Sequence, residues 1–365
     1  MTAESTLMRI SWEQYESLSL TERVPYFNEV GRLYHVMIAQ QFDRSRLDTL
    51  GTLATIIRRL AKTEEGIKFL RGQLSHKRAM LYFSQPSSRT FLSFCAACQI
   101  LGISIGEVRD TATSSEFKGE SKEDSVRTFS SYFDLIIMRS QAGGLAERMA
   151  WVLSNSERSI PIINAGSGKD QHPTQALLDI YTLQRSFENN GGIDGKTILF
   201  TGDLLRGRTV RSLAWVLTAY RDVRQIFAAP TYLQISDDIL AMLDQQKITY
   251  QVTDDFKSSI PEADAIYMTR IQDEWDTQKD GKRNERDISQ YSFTGDDLIR
   301  LKKNAVILHP LPRRSEISTD VDNDPRAVYW RQMRNGMWIR TALIATIFDR
   351  EEMIKAYASD KGIVA

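Results

Sequence analysis

The chain has little sulfur and no excess of either charge. Two cysteines, Cys95 and Cys98, occur in 365 residues, too few for a disulfide framework. Their Cys-x-x-Cys spacing fits a redox pair or half of a zinc site, but no second pair and no nearby histidine completes a metal set. Cys95 also lies a full turn inside a predicted helix, so both read as small buried residues. Lysine plus arginine and aspartate plus glutamate each number 47, giving a formal net charge of zero. No basic excess therefore argues for nucleic acid or an anionic membrane surface. No apolar run reaches the length of a membrane span, and residues 1–20 are mixed and acidic rather than signal-like, so a cytoplasmic location is the expectation. Also missing are a Ser/His/Asp order, a paired-carboxylate motif, a repeat of solenoid period, and a G-x-G-x-x-G after the strand that ends at Thr201-Gly202-Asp203. Metal, covalent and dinucleotide chemistry all lose their usual markers.

What is present is an alternation of short apolar runs with longer amphipathic segments, which predicts parallel sheets covered by helices. Strands are predicted over 78–83, 103–108, 135–139 and 160–164 in the first half. In the second half they are predicted over 197–201, 224–228, 248–252, 265–269 and 305–308. A helix is predicted over 174–187, followed by the polar pentad Glu188-Asn189-Asn190-Gly191-Gly192, the clearest linker signal in the chain. With 42% hydrophobic residues the chain can bury two cores. The fold class predicted is α/β: two doubly wound parallel-sheet domains joined by helices, with an active site in the cleft between them. Residues 1–33 carry no strand signal and read as an added arm. The span 272–297 is dense in charge and reads as a lid or disordered insertion, and 330–358 reads as a closing helical segment.

Ser87-Ser88-Arg89-Thr90 stand between a predicted strand and a helix that runs to a glycine stop at Gly102. A helix start offers unpaired backbone N–H groups and the positive end of the helix dipole. Three hydroxyls and a guanidinium add side-chain donors, and together they suit a dianion such as phosphate. Alone, the tetrapeptide is equally a serine-rich cap with a solvated arginine. Ligands in open α/β sheets bind beyond the carboxyl ends of the strands, and other strands here end similarly. Arg139 follows one, and His172-Pro173-Thr174-Gln175 close the loop after another. Asp203 and Arg208, then Arg270 and Gln272, then His309-Pro310-Leu311-Pro312-Arg313 follow three more. The chemistry this supports is electrostatic: donors and cations that polarise a phosphorylated substrate.

Taken in order, these segments resemble the aspartate/ornithine carbamoyltransferase family, in its aspartate branch. The resemblance runs from about Gly31 to the C-terminus. It covers Ser87-Ser88-Arg89-Thr90, Lys118-Gly119-Glu120, Asn164-Ala165-Gly166 and Gln171 to Gln175. It continues through Gly202-Asp203, Gly207-Arg208-Thr209-Val210, Tyr267 to Arg270 with Gln272, and His309 to Arg313, with Glu316-Ile317 and Asp320-Val321-Asp322 also fitting. The resemblance implies a reaction in which the aspartate amine attacks the carbonyl of carbamoyl phosphate, releasing phosphate and N-carbamoyl-L-aspartate, the committed step of pyrimidine synthesis. It implies that 34–174, with a C-terminal helix over 336–365, bind carbamoyl phosphate and that 175–335 bind aspartate. Ser87, Ser88, Arg89 and Thr90 would hold the phosphate with help from Arg139. His172, Arg139 and Thr90 would polarise the carbonyl oxygen, Gln175 would take the carbamoyl NH2, and the carbonyls of Leu311 and Pro312 would bind the amine and carbamoyl nitrogens. Ser114 and Lys118 would come from a neighbouring subunit of a homotrimer with shared sites, and Lys118, Arg208, Arg270 and Gln272 would hold the aspartate. No metal or organic cofactor is implied.

Arg208 and Arg270 suit a dicarboxylate, because arginine binds carboxylates through paired hydrogen bonds. The ammonium of ornithine would instead meet Arg270 as a like charge, and the ornithine branch carries a cysteine where this chain has Pro310. The chain departs from the family pattern at Ser88, Phe91, Gln85, Ser140-Gln141 and Phe117. A carbamoyltransferase for another amino acid, or a non-catalytic paralogue serving as scaffold or regulator, are the alternative readings.

Overall fold

The computed structural model describes residues 10–109, 119–168, 171–271 and 289–364. The chain divides into two compact units, one of residues 1–181 and 334–365, the other of 182–333. Both divisions fall inside helices, Pro173–Phe187 and Tyr329–Ile347. The first unit thus runs past residue 174 to Tyr181, and the glycine-rich pentad lies within the second.

The first unit opens with an arm that is packed rather than loose. Ser11 and Ser19 cap the short helices Trp12–Glu16 and Leu20–Arg23 through reciprocal capping boxes. Tyr15 and Phe27 from this arm are fully buried in the unit's main apolar cluster. The arm also contains a strand pair that its sequence does not announce. Strand β1 (Asn28–Glu29) pairs antiparallel with β2 (Arg32–Leu33). Val30 and Gly31 both turn with positive φ, 51° and 74°, as a two-residue hairpin demands. A β-branched valine in that role hides the signal.

Four parallel strands follow: β3 (Arg78–Phe83), β4 (Ser104–Val108), β5 (Leu135–Ser140) and β6 (Ile162–Ser167), in the order β4-β3-β5-β6. β5 and β6 are buried at every position and β3 at all but its first, whereas the edge strand β4 is partly exposed throughout. That is the pattern of a parallel sheet covered on both faces. Val36 extends the sheet by a bridge to Ile163 beside β6.

The second unit carries β7 (Thr197–Thr201), β8 (Arg224–Ala228), β9 (Tyr250–Thr253), β10 (Ala265–Met268) and β11 (Val306–Leu308). All pair in parallel, in the order β11-β10-β7-β8-β9. In each unit the chain steps outward in one direction and then returns to the far side of its first strand. The order therefore reverses between β3 and β5 in the first unit and between β7 and β10 in the second. Such a reversal leaves a crevice at the carboxyl ends of the two flanking strands.

Two further sequence expectations change. Of the charged span 272–297, the stretch 291–297 is anchored: Tyr291 and Phe293 belong to the second unit's core, and Lys257 bonds to the Ser292 carbonyl and to buried Asp297. Residues 272–288 lie outside the described residues. The closing segment is two helices, Tyr329–Ile347 and Glu351–Asp360, because Asp349 takes a positive φ of 59° between them. Cys98 is buried, Cys95 half-buried, and neither is in a disulfide. No described helix is long and apolar enough to cross a membrane.

Candidate active site

At the reversal in the first unit, Phe83 of β3 pairs with Arg139 of β5. The chain leaving β3 stays tied to that strand end, since the Gln85 N–H and the Ser84 hydroxyl both donate to the Arg139 carbonyl at 3.3 Å. Ser87 then takes an extended backbone (φ −162°, ψ 100°) as the N-cap of helix Ser88–Ile100, but its side chain does not cap the helix. The first-turn N–H groups, the three hydroxyls and the exposed Arg89 thus share one strand-to-helix junction. Thr90 is buried beneath them. Phe91, one of the departures from the family pattern, packs edge-on against Phe83 with centroids 5.4 Å apart. The Arg109 guanidinium lies over its outer face at 4.4 Å, and the side chain is part of the core.

Arg139 is brought to His172 by a glycine. Gly166, at the end of β6, has φ +113°, and a Cβ there would fall 2.6 Å from Arg139 Nη1 and 3.2 Å from His172 Cδ2. The guanidinium and the imidazole therefore flank the same backbone atom, and only glycine leaves room for both. Arg139 Nη1 also donates to the Ala165 carbonyl at 3.0 Å. Asn164 shapes the turn by accepting the Gly166 N–H at 2.9 Å and donating to the Met37 carbonyl.

His172, 3% exposed, ends the loop, and its carbonyl accepts the Gln175 and Ala176 N–H groups that start helix Pro173–Phe187. Pro173 sits at the first helical position, where a missing N–H costs nothing. One turn on, Gln175 Nε2 donates to Asp179 Oδ1 at 3.0 Å. A carboxylate only accepts, so the nitrogen must face Asp179, leaving Gln175 Oε1 to accept from a ligand N–H. Asp179 is wholly buried, and its charge is felt by Arg340. Burial pushes the Arg340 guanidinium down to about 10 and the Asp179 carboxylate partly offsets this. Arg340 also donates to Ser93 at 2.7 Å and lies over the Phe94 ring.

In the second unit the reversal lies between β7 and β10. Gly202 (φ +104°) abuts the Thr269 carbonyl so closely that a Cβ would overlap it, while the Thr269 N–H donates to Thr201 at 2.9 Å. Asp203, fully buried, accepts the Arg206 N–H at 3.0 Å and shapes the turn into helix Arg208–Val216. Arg208 opens that helix and Arg270 follows β10, so the two half-buried arginines stand beyond the two strands flanking the crevice. β11, next to β10, delivers Leu311 and Pro312, joined by a cis peptide. Arg313 is committed elsewhere: it pairs with Asp322 and lies over Tyr329 and Trp330.

Each unit thus assembles its own set, with Ser87, Ser88, Arg89, Thr90, Arg139, His172 and Gln175 in the first and Arg208, Arg270, Leu311 and Pro312 in the second. Ser114, Lys118 and Gln272 lie outside the described residues. Asp179 and Arg340 are absent from the residues picked out by sequence. Asp179 was within reach as the i+4 neighbour of Gln175 on a helix, whereas Arg340, 161 positions further on in the chain, leaves no local signal.

Two family models match: the carbamoyl-phosphate-binding domain of aspartate/ornithine carbamoyltransferases over residues 34–185, and the Asp/Orn-binding domain over 194–347. The chain is 39% identical over 333 residues to aspartate carbamoyltransferase 1, chloroplastic, of Pisum sativum, covering 89% of this chain and 82% of that one. It is 43% identical over 277 residues to the aspartate carbamoyltransferase catalytic subunit of Vibrio cholerae, covering 76% and 86%. Among solved structures, aspartate transcarbamoylase from Trypanosoma cruzi in complex with carbamoyl aspartate and phosphate superposes with a TM-score of 0.76 at 33% identity, covering 86% and 95%. The catalytic subunit of M. jannaschii aspartate transcarbamoylase gives 0.76 at 33%, covering 88% and 99%. With both domain models matched in order over nearly its whole length, the chain belongs to the aspartate/ornithine carbamoyltransferase family.

Proposed function

We propose that this chain transfers the carbamoyl group of carbamoyl phosphate to the amino group of L-aspartate, giving N-carbamoyl-L-aspartate and phosphate. The observation that carries the reading is the coincidence, in both units, of the matched cationic and donor residues with the crevice where the strand order reverses. On this reading the helix start at Ser87 to Thr90, with Arg139, holds the phosphate. Arg139, His172 and Thr90 stabilise the charge that grows on the carbonyl oxygen as the amine adds. Gln175 Oε1, freed by the Asp179 bond, accepts from the carbamoyl NH2. Arg208, Arg270 and Gln272 grip the two aspartate carboxylates, while the Leu311 and Pro312 carbonyls accept hydrogens from the reacting nitrogens. Phosphate is a good leaving group, so the protein need supply only position and field. Ser114 and Lys118 are lent by a neighbouring protomer of a homotrimer.

The test is incubation with carbamoyl phosphate and a panel of amino acids, with detection of the ureido product and the mass of the native assembly. Product with aspartate from a trimeric species is expected. Product only with another amine would move the chain to a different acceptor, and silence across the panel would leave the scaffold reading.

A further inference from the structure

Leu311 is one of three described non-glycine residues of the second unit with positive φ, here +54°. That conformation persists only where the surroundings hold it. Its N–H donates to His309 Nδ1 at 2.7 Å. A ring nitrogen that accepts a hydrogen bond carries no proton, so the His309 proton sits on Nε2. Nε2 lies 2.7 Å from Glu316 Oε1, which as a carboxylate oxygen accepts that hydrogen. The Glu316 carboxylate is fixed in turn by the Arg314 N–H, 3.1 Å from each of its oxygens. Burial pushes the Glu316 carboxyl up, but the His309 bond and these backbone donors outweigh it, leaving the group below its ordinary range. The Glu316 backbone is tied to the core, since its carbonyl accepts the N–H of buried Phe293 at 2.8 Å. From the other side, the His309 N–H donates to Gln332 Oε1 at 2.8 Å.

We propose that His309 is a positioning residue for carbamoyl transfer: held by Glu316 as the Nε2–H tautomer, its Nδ1 seats the Leu311 amide and so aims the Leu311 carbonyl at the reacting nitrogens. This rests on the reading of that carbonyl given above and adds the device that sets its direction. The peptide unit of Leu311 is caught at its N–H by an imidazole that cannot rotate, because both ring nitrogens are occupied.

Two substitutions separate the ring's halves. H309N keeps an acceptor where Nδ1 stands but does not reach Glu316, whereas H309Q keeps a donor toward Glu316 and loses the acceptor. With both variants compared at matched melting temperature, H309Q is expected to lose about 100-fold in kcat, the scale of an ångström-sized misplacement, and H309N to retain most of the parent rate. Nitrogen NMR of the parent's labelled histidines is expected to show His309 protonated on Nε2 alone at neutral pH. Equal losses in the two variants, a better rate for H309Q, or a proton on Nδ1 would overturn the assignment. Should neither variant fold, the parent spectrum decides. A parent without carbamoyl transfer would end the functional reading above, while the spectrum still answers for the tautomer.

Discussion

Arg139 and His172 meet over Gly166 because a backbone with φ +113° and no side chain lets a guanidinium and an imidazole approach one carbon. The two residues stand 33 positions apart in the chain, yet their places after strands were legible, since each follows an apolar strand-length run. Ser87 to Thr90 were legible for the same reason. What the sequence withheld was the commitment of individual groups: Arg313 satisfies Asp322, and Phe91 packs into the core under Arg109. If His172 polarises the carbonyl and Arg89 holds the phosphate, each variant loses a preorganised donor. His172→Ala and Arg89→Ala are each expected to lower kcat by about 100- to 1000-fold, the usual cost of one such donor. Steady-state kinetics with carbamoyl phosphate and aspartate checks this, and near-parental turnover in either variant would remove that residue from its role.

At the scale of elements, the helix Pro173–Phe187 does two things at once. Its first turn presents His172 and Gln175, and its next turn sinks Asp179 into the first unit, where Arg340 of helix Tyr329–Ile347 feels its charge. The C-terminal segment thereby reaches, through Asp179, the surroundings of Gln175 far from it in the chain, which no local pattern encodes. The arm is a second case: Arg148 lies between the Trp12 and Trp151 rings, 4.9 Å from each centroid, and Tyr15 and Arg23 both bond Glu147. A segment without strand signal is thus clasped to helix Leu145–Ser154. For Asp179 the consequence is measurable. Asp179→Ala removes the carboxylate that offsets the burial of Arg340 and accepts from Gln175, and is expected to cost about 1–3 kcal/mol in urea unfolding, the usual penalty for buried polar groups left unsatisfied. Asp179→Asn keeps a partner for Gln175 but lets its amide face either way, so KM for carbamoyl phosphate should rise with less loss of stability. An alanine variant as stable as the parent would show that Arg340 does not depend on this carboxylate.

For the whole molecule, the periodicity of apolar runs located every strand of both main sheets to within about three residues, because buried parallel strands are written as continuous apolar segments. It missed the β1–β2 hairpin, whose turn is formed by valine and glycine, and the anchoring of residues 291–297, which depends on Tyr291 and Phe293 amid charge. Strand order was not legible either, although it is strand order that makes each crevice. One buried residue makes the stability of the first unit depend on pH. His35, fully buried, accepts the Ile162 N–H on Nδ1 at 3.1 Å and lies 3.1 Å from the Ser154 hydroxyl through Nε2. Its bond to Ile162 lies where Val36 joins the edge of the sheet. Burial pushes its pKa down to about 3 from 6.5. Between those values the unfolded chain binds a proton that the folded one refuses, so stability is full above pH 6.5 and falls as pH drops toward 3. Each pH unit inside that window removes about 1.4 kcal/mol, so this one group costs about 2 kcal/mol between roughly pH 7 and pH 5, a range above most carboxylate titrations. His35→Asn retains an acceptor for the Ile162 N–H but cannot titrate. Its unfolding free energy should therefore fall less than the parent's by about that amount over the same interval. Parallel curves for the two proteins would mean that His35 is protonated in the folded state at about pH 5, and that the edge of the first sheet opens to admit the charge.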